Sequence, residues 1–145
     1  MNIRVSIKCP QGAEICLRKM RAVLEPIETW KGPWPSTDEW SRILPTWFVS
    51  ACSASPSAEE SRAWLEHWRT LPQAEQTEMT RKLEWSLENW LYWMKPEQAT
   101  WHWVSASTTS NIELDVVLDL EGWPTALGAF EWLARAAGAD GDIAI

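Results

Sequence analysis

Between Ile112 and Leu120 the chain alternates without a break. Ile112, Leu114, Val116, Leu118 and Leu120 point one way, and Glu113, Asp115, Val117 and Asp119 point the other. A period of two suits a strand with one buried face, because a helix would scatter those aliphatics around its circumference. Just upstream, Trp101 and Trp103 keep the same period. With Thr108–Asn111 as the hairpin loop, Ser107 faces Ile112, Trp103 faces Val116 and Trp101 faces Leu118. Both indoles then join the aliphatic row, the arrangement of a one-sided antiparallel sheet. The rest of the chain must supply a layer to cover that face.

Asn2–Lys8 supplies another half-buried strand, with Ile3, Val5 and Ile7 set against Arg4, Ser6 and Lys8, and Pro10 ends it. From Gln11 to about Leu24, the residues Ala13, Cys16, Leu17, Met20, Val23 and Leu24 form a helical stripe, which Pro26 is expected to stop. Ile27–Pro45 mixes Trp30, Trp34 and Trp40 with prolines. Within it, Ser36 and Glu39 have capping-box spacing for a short helix over Asp38–Ile43. Thr46–Cys52 (TWFVSAC) reads as a buried strand. Ser57 and Glu60 form a second capping box, opening a helix to about Thr70 with Trp64, Leu65 and Trp68 on one face. A longer helix is expected over Ala74–Met94, striped by Met79, Leu83, Leu87, Trp90, Leu91 and Met94. A last helix over Pro124–Ala137 buries Leu127, Phe130, Leu133 and Ala134, with Gly138 at its C′ position. Asp142–Ile145 closes with a short strand. The order describes an α+β fold: a mostly antiparallel or mixed sheet of about five strands, with helices packed on one face.

At 145 residues and 16.6 kDa, the chain 1–145 is expected to be a single domain. A compact protein of this mass exposes about 7,600 Å², against about 24,000 Å² unfolded, so a sizeable core is within reach. The net charge of −7 is uneven. Residues 1–72 carry nine Lys/Arg and eight Asp/Glu, whereas residues 73–145 carry four and twelve. An acidic half repels phosphate backbones and attracts basic proteins, so nucleic acid is not expected as a ligand. Cys9, Cys16 and Cys52 form no CxxC pair, and the start MNIRVSIKCP lacks the pattern of a signal peptide. No apolar run approaches the ~20 residues of a membrane span. These features together predict a cytoplasmic protein with reduced thiols and no membrane contact.

Thirteen tryptophans stand against two phenylalanines and one tyrosine. Some fall where helical spacing turns them from the core. On the long predicted helix, Trp85 and Tyr92 lie seven residues apart opposite the apolar stripe, with Glu88 close by. Trp132 falls away from the apolar face of the last helix. These three aromatics are candidate partner-binding residues, the alternative being that the Trp30–Trp40 loop folds back over them. Glu113, Asp115 and Asp119 form a row of negative charge able to receive a Lys/Arg patch. Their spacing along a strand does not suit one metal ion.

No catalytic or metal motif is present: no G-x-S-x-G, P-loop, G-x-G-x-x-G, H-E-x-x-H or zinc-spaced Cys/His set. His102, on the sheet face shared with Val117 and Asp119, and Cys52 are the only enzyme candidates. A catalytic role is not expected, nor any cofactor or metal.

Asp119–Ala139, D-L-E-G-W-P-T-A-L-G-A-F-E-W-L-A-R-A-A-G-A, runs a strand into a Trp-Pro-initiated helix. With the small size, acidity, tryptophan surplus and absent chemistry, the chain resembles the immunity proteins of bacterial polymorphic-toxin and contact-dependent inhibition systems. The resemblance implies a tryptophan-rich acidic protein of bacterial competition that binds a cognate toxin, commonly a basic nuclease, and occludes its active site by protein–protein interaction. Two further readings stand beside it: a carbohydrate or small-ligand module using exposed Trp, and a small enzyme using His102 or Cys52.

Overall fold

The computed structural model describes residues 1–54, 56–81, 85–123 and 125–144. Four strands form one antiparallel sheet in the order β2-β3-β1-β4. They are β1 (Asn2–Lys8), β2 (Trp101–Ser110), β3 (Glu113–Leu120) and β4 (Asp140–Ala144). The first strand in sequence is therefore internal: Val5 faces Val116, Ile7 faces Leu114, and Ser6 faces Ala144 on the other side. Val5, Ile7, Leu114, Val116 and Leu118 are all sealed from solvent. The opposite face, with Arg4, Ser6, Lys8 and Glu113, stays in water, so the alternation from Leu114 to Leu120 has the expected meaning; Ile112, expected in the same buried row, lies in the turn instead and is 52% exposed.

Helices cover the buried face. α1 (Ala13–Glu28) packs on β2 and β3, and α7 (Gly128–Ala136) sits beside α1 with Phe130 edge-on to Trp101, ring centroids 5.4 Å apart. Gly138 follows α7 at φ +115, a left-handed conformation that a side chain resists. Behind these lie α2 (Thr37–Ile43), α3 (Thr46–Ala51) and α6 (Leu87–Met94). Trp90 of α6 is fully buried, donates its indole N–H to the Ala129 carbonyl at 3.0 Å, and meets Phe48 of α3 at 4.7 Å. The Trp30–Trp40 segment folds back onto this layer: Trp40 is fully buried, with Trp30 and Trp34 5.2 and 5.0 Å away.

The remaining helices, α4 (Ala58–Arg69) and α5 (Gln73–Arg81), pack chiefly on each other. No side chain of α4 is buried, and none of the described side chains of α5 is fully buried. The pair forms an arm whose neck is pinned where Ser53 bridges Ser86 and donates its N–H to the Trp85 carbonyl at 3.0 Å. The accessible surface of 8934 Å² exceeds the compact expectation of about 7,600 Å². A two-helix projection raises surface in that direction.

Five further expectations need correction. Thr46–Cys52 is helical over Thr46–Ala51, so the sheet has four strands rather than about five. A six-residue apolar run does not distinguish strand from helix, and burying Phe48 against Trp90 decided it. The single helix over Ala74–Met94 is two, because Ser86 caps a new start by accepting from Asn89 N at 3.2 Å. α1 runs on through Pro26 to Glu28, which lets Ile27 be buried. A proline so near a helix end removes one backbone bond without breaking the element. The hairpin is tighter than expected: Trp103 faces Leu118 and Trp101 faces Leu120. A slip of two residues preserves the face, so both indoles still point at the core. Finally, α7 begins at Gly128 rather than near residue 124. Leu83, Pro124 and Ile145, named above in the stripe, a helix start and a last strand, lie outside the described residues.

Candidate functional site: the cleft between the arm and α7

The sequence-predicted contact residues separate into three places. Trp85 and Trp132 come together. Trp85 precedes the Ser86 cap of α6 and its ring lies at the first turn of α7, with Trp132 one turn further along α7. Both line a cleft of about 530 Å³ whose opposite wall is the arm, with Trp68, Gln76 and Thr80. A Cβ on Gly128 would lie 2.9 Å from Trp85 Cζ2, so the missing side chain lets the indole lie flat against the helix. Both rings are half-buried and pack on the core, not remote from it as helical spacing suggested. The Trp132 Nε1 is itself sealed and has no hydrogen-bond partner at ordinary distance among the described residues. Burial pushes the Cys52 thiol up, and a weak contact with Trp132 offsets only part of that rise.

On the arm, local chemistry holds Trp68 in place. Its Nε1 donates to the Gln76 carbonyl at 3.3 Å and to Thr80 Oγ1 at 3.2 Å, while Gln76 Nε2 returns a bond to the Trp68 carbonyl at 2.9 Å. Trp64 stacks alongside, centroids 6.3 Å apart and planes within 18°. The Ser57 capping box fixes the start of α4: Glu60 N donates to Ser57 Oγ at 3.1 Å and Ser57 N donates to Glu60 Oε1 at 3.4 Å. Trp68, Gln76 and Thr80 were not among the sequence candidates. The signal was there in Trp64 and Trp68 on one face of a helix, but that face reads as core until the helix is known to project.

Tyr92 and Glu88 occupy a different place. The break before α6 removes the shared line between Trp85 and Tyr92. Tyr92 is 45% exposed at the outer side of α6, edge-on to Trp93 at 5.3 Å and under the Lys95 ammonium at 5.7 Å. With Glu88 it borders a smaller recess, about 310 Å³, walled on the other side by Trp34 and Trp40. The folded-back loop thus covers Leu91 and leaves Tyr92 at the edge.

The acidic row lies on the open sheet face as expected, but cations of β1 stand opposite it. The Met1 ammonium donates to Asp119 Oδ1 at 2.9 Å, Arg4 approaches Asp115 at 3.7 Å with Ser6 Oγ donating to it at 3.0 Å, and Lys8 faces Glu113 in the register. This row is therefore largely compensated within its own sheet. His102 pairs with Asp119 in the register on the exposed face.

Among the described residues, no group of three or more His, Cys, Asp or Glu is placed to hold a metal ion, and no helix is long and apolar enough to cross a membrane. No protein-family model, curated protein or solved structure matches the chain.

Proposed function

We propose that the protein is an immunity-type inhibitor, which binds a cognate bacterial toxin domain of basic character in the cytoplasm and occludes it without chemistry. One observation carries the reading: three indoles from separate elements, Trp68, Trp85 and Trp132, converge on a cleft flanked by an arm whose first helix buries none of its side chains. A projecting helix pair with large aromatics gains its missing burial from a partner, and aromatic clusters of this kind anchor protein interfaces. The acidic second half of the chain would speed encounter with a basic surface.

A saccharide-binding reading draws support from the same cleft, where indole faces lie beside amide and hydroxyl groups. Against it, the amide and hydroxyl nearest Trp68 are already engaged inside the arm: Gln76 Nε2 bonds the Trp68 carbonyl, and Thr80 Oγ1 donates to the Gln76 carbonyl at 2.9 Å while accepting from Trp68. A sugar would have to displace these bonds, whereas a protein surface covers them intact. An enzyme acting through Cys52 is disfavoured because burial raises its pKa and withholds the thiolate.

The test is capture with the wild-type protein and with Trp85→Ala and Trp132→Ala in parallel, followed by reconstitution with the purified captured protein or the product of a neighbouring gene. Each substitution should weaken binding by about 2 kcal/mol or more. Thermal melts of both variants accompany the assay, since both rings pack partly on the core. A folded variant that binds with wild-type affinity removes the cleft from the interface.

A further inference from the structure

A second concavity, about 540 Å³, lies on a different part of the molecule, where the C-terminal end of α1 and the segment after it meet β2. Its walls include Trp30, Trp34 and Trp103 and the nearly sealed Trp101, together with Glu28, Glu97 and His102. The faces of indole rings carry negative potential, and a pocket that combines them with carboxylates favours an organic cation. The molecule already contains one example of that chemistry at the pocket's edge. The Arg21 guanidinium lies 5.3 Å from the centroid of Trp103 and is held by both carboxylate oxygens of Glu28, at 3.2 and 3.3 Å. Glu28 is thus matched by a cation. Glu97 is exposed and forms no side-chain hydrogen bond or ion pair among the described residues, so the pocket retains negative charge.

We infer that this pocket accepts a guanidinium group, supplied by an arginine side chain of the basic protein partner. The planar, weakly hydrated guanidinium stacks on indoles and pairs with carboxylates, as Arg21 does here. Lysine is more strongly hydrated and gains less from four aromatic walls. The source of the arginine rests on the inhibitor reading above; the chemistry of the pocket does not.

The experiment follows the indole N–H signals of the thirteen tryptophans in ¹H–¹⁵N spectra, assigned by single Trp→Phe substitutions. N-acetyl-arginine methylamide is titrated against its neutral isostere, N-acetyl-citrulline methylamide. The arginine compound should shift Trp30, Trp34, Trp101 and Trp103 saturably, with a midpoint on the order of 1–10 mM for so small a ligand, and the citrulline compound should leave them in place. Glu97→Gln, at an exposed carboxylate, should weaken the response about 2–5-fold without lowering the melting temperature. Equal shifts from both compounds, shifts that never saturate, or shifts confined to other indoles would overturn the assignment. In a reconstituted complex, the same four signals should move and compete with the free arginine compound. If the free compound saturates the pocket but the bound partner leaves these signals unmoved, the protein source is overturned. Loss of partner binding in Trp85→Ala with the arginine response intact would separate the two cavities.

Discussion

A methyl group at position 128 has nowhere to go while the Trp85 ring rests 2.9 Å from where it would stand. Gly128→Ala, at the first position of α7, gains less helix propensity than the ~1 kcal/mol of a helix interior and meets overlap worth about 1–3 kcal/mol. The overlap should win, with a net loss of about 1 kcal/mol in a denaturant melt and a displaced Trp85 indole signal; an unchanged signal would mean that the ring does not lie on α7. Cysteine chemistry is set by burial in the same way. Burial, then the contact with Cys9, pushes the Cys16 thiol up to about 12, and burial also raises Cys9. Iodoacetamide at pH 8 should therefore leave both unmodified in the folded protein and modify them once it is denatured. Since the folded state holds these thiols protonated and the unfolded state does not, their contribution to stability is complete below the ordinary thiol pKa of 9.0 and is lost as pH rises toward about 12. Melting temperatures should fall across that alkaline window, and less steeply in Cys16→Ala.

Among the elements, the arm depends most on its own local interactions, because α4 and α5 draw little from the body. Ser57→Ala removes half of the capping box and should cost about 1 kcal/mol. The loss should appear as faster amide exchange confined to 58–81, with the melting of the sheet unchanged; a global drop in melting temperature would mean that the arm is integral to the core. Several elements were legible in the sequence because local chemistry and burial agree. The strands over Asn2–Lys8 and near 112–120 follow from strict alternation, and α4 and α2 start where Ser57 and Ser36 cap them. Thr46–Cys52 was not, because so short an apolar run suits a strand as well as a helix, and the packing of Phe48 on Trp90 is a tertiary contact that the run itself does not announce. Ser86 hid inside a continuous helical period, so the break that moves Trp85 away from Tyr92 went unread. That break also explains the candidate site: Trp85 and Trp132 were found as indoles off the stripe, while their meeting with Trp68 depends on a tertiary turn that no spacing encodes.

At the level of the whole molecule, charge and shape divide the labour. On the open sheet face Asp119 pairs with the Met1 ammonium and Asp115 with Arg4, and Lys8 stands opposite Glu113; other carboxylates of residues 73–145 lie elsewhere, including Glu75 on the arm and Glu131 at the cleft. Raising ionic strength should slow association with a basic partner more than it speeds dissociation, and a salt-independent association rate would remove the electrostatic part of the account. The rest is geometry: a sheet sealed on one side by helices, and a helix pair left standing beside three indoles. Hydrogen exchange followed by mass spectrometry, on the protein alone and in complex with its purified partner, tests that arrangement most directly. Binding should slow exchange in 58–81 and at the start of α7, where the cleft walls are buried together. Protection confined to the open sheet face, with the arm exchanging as fast as in the free protein, would contradict it.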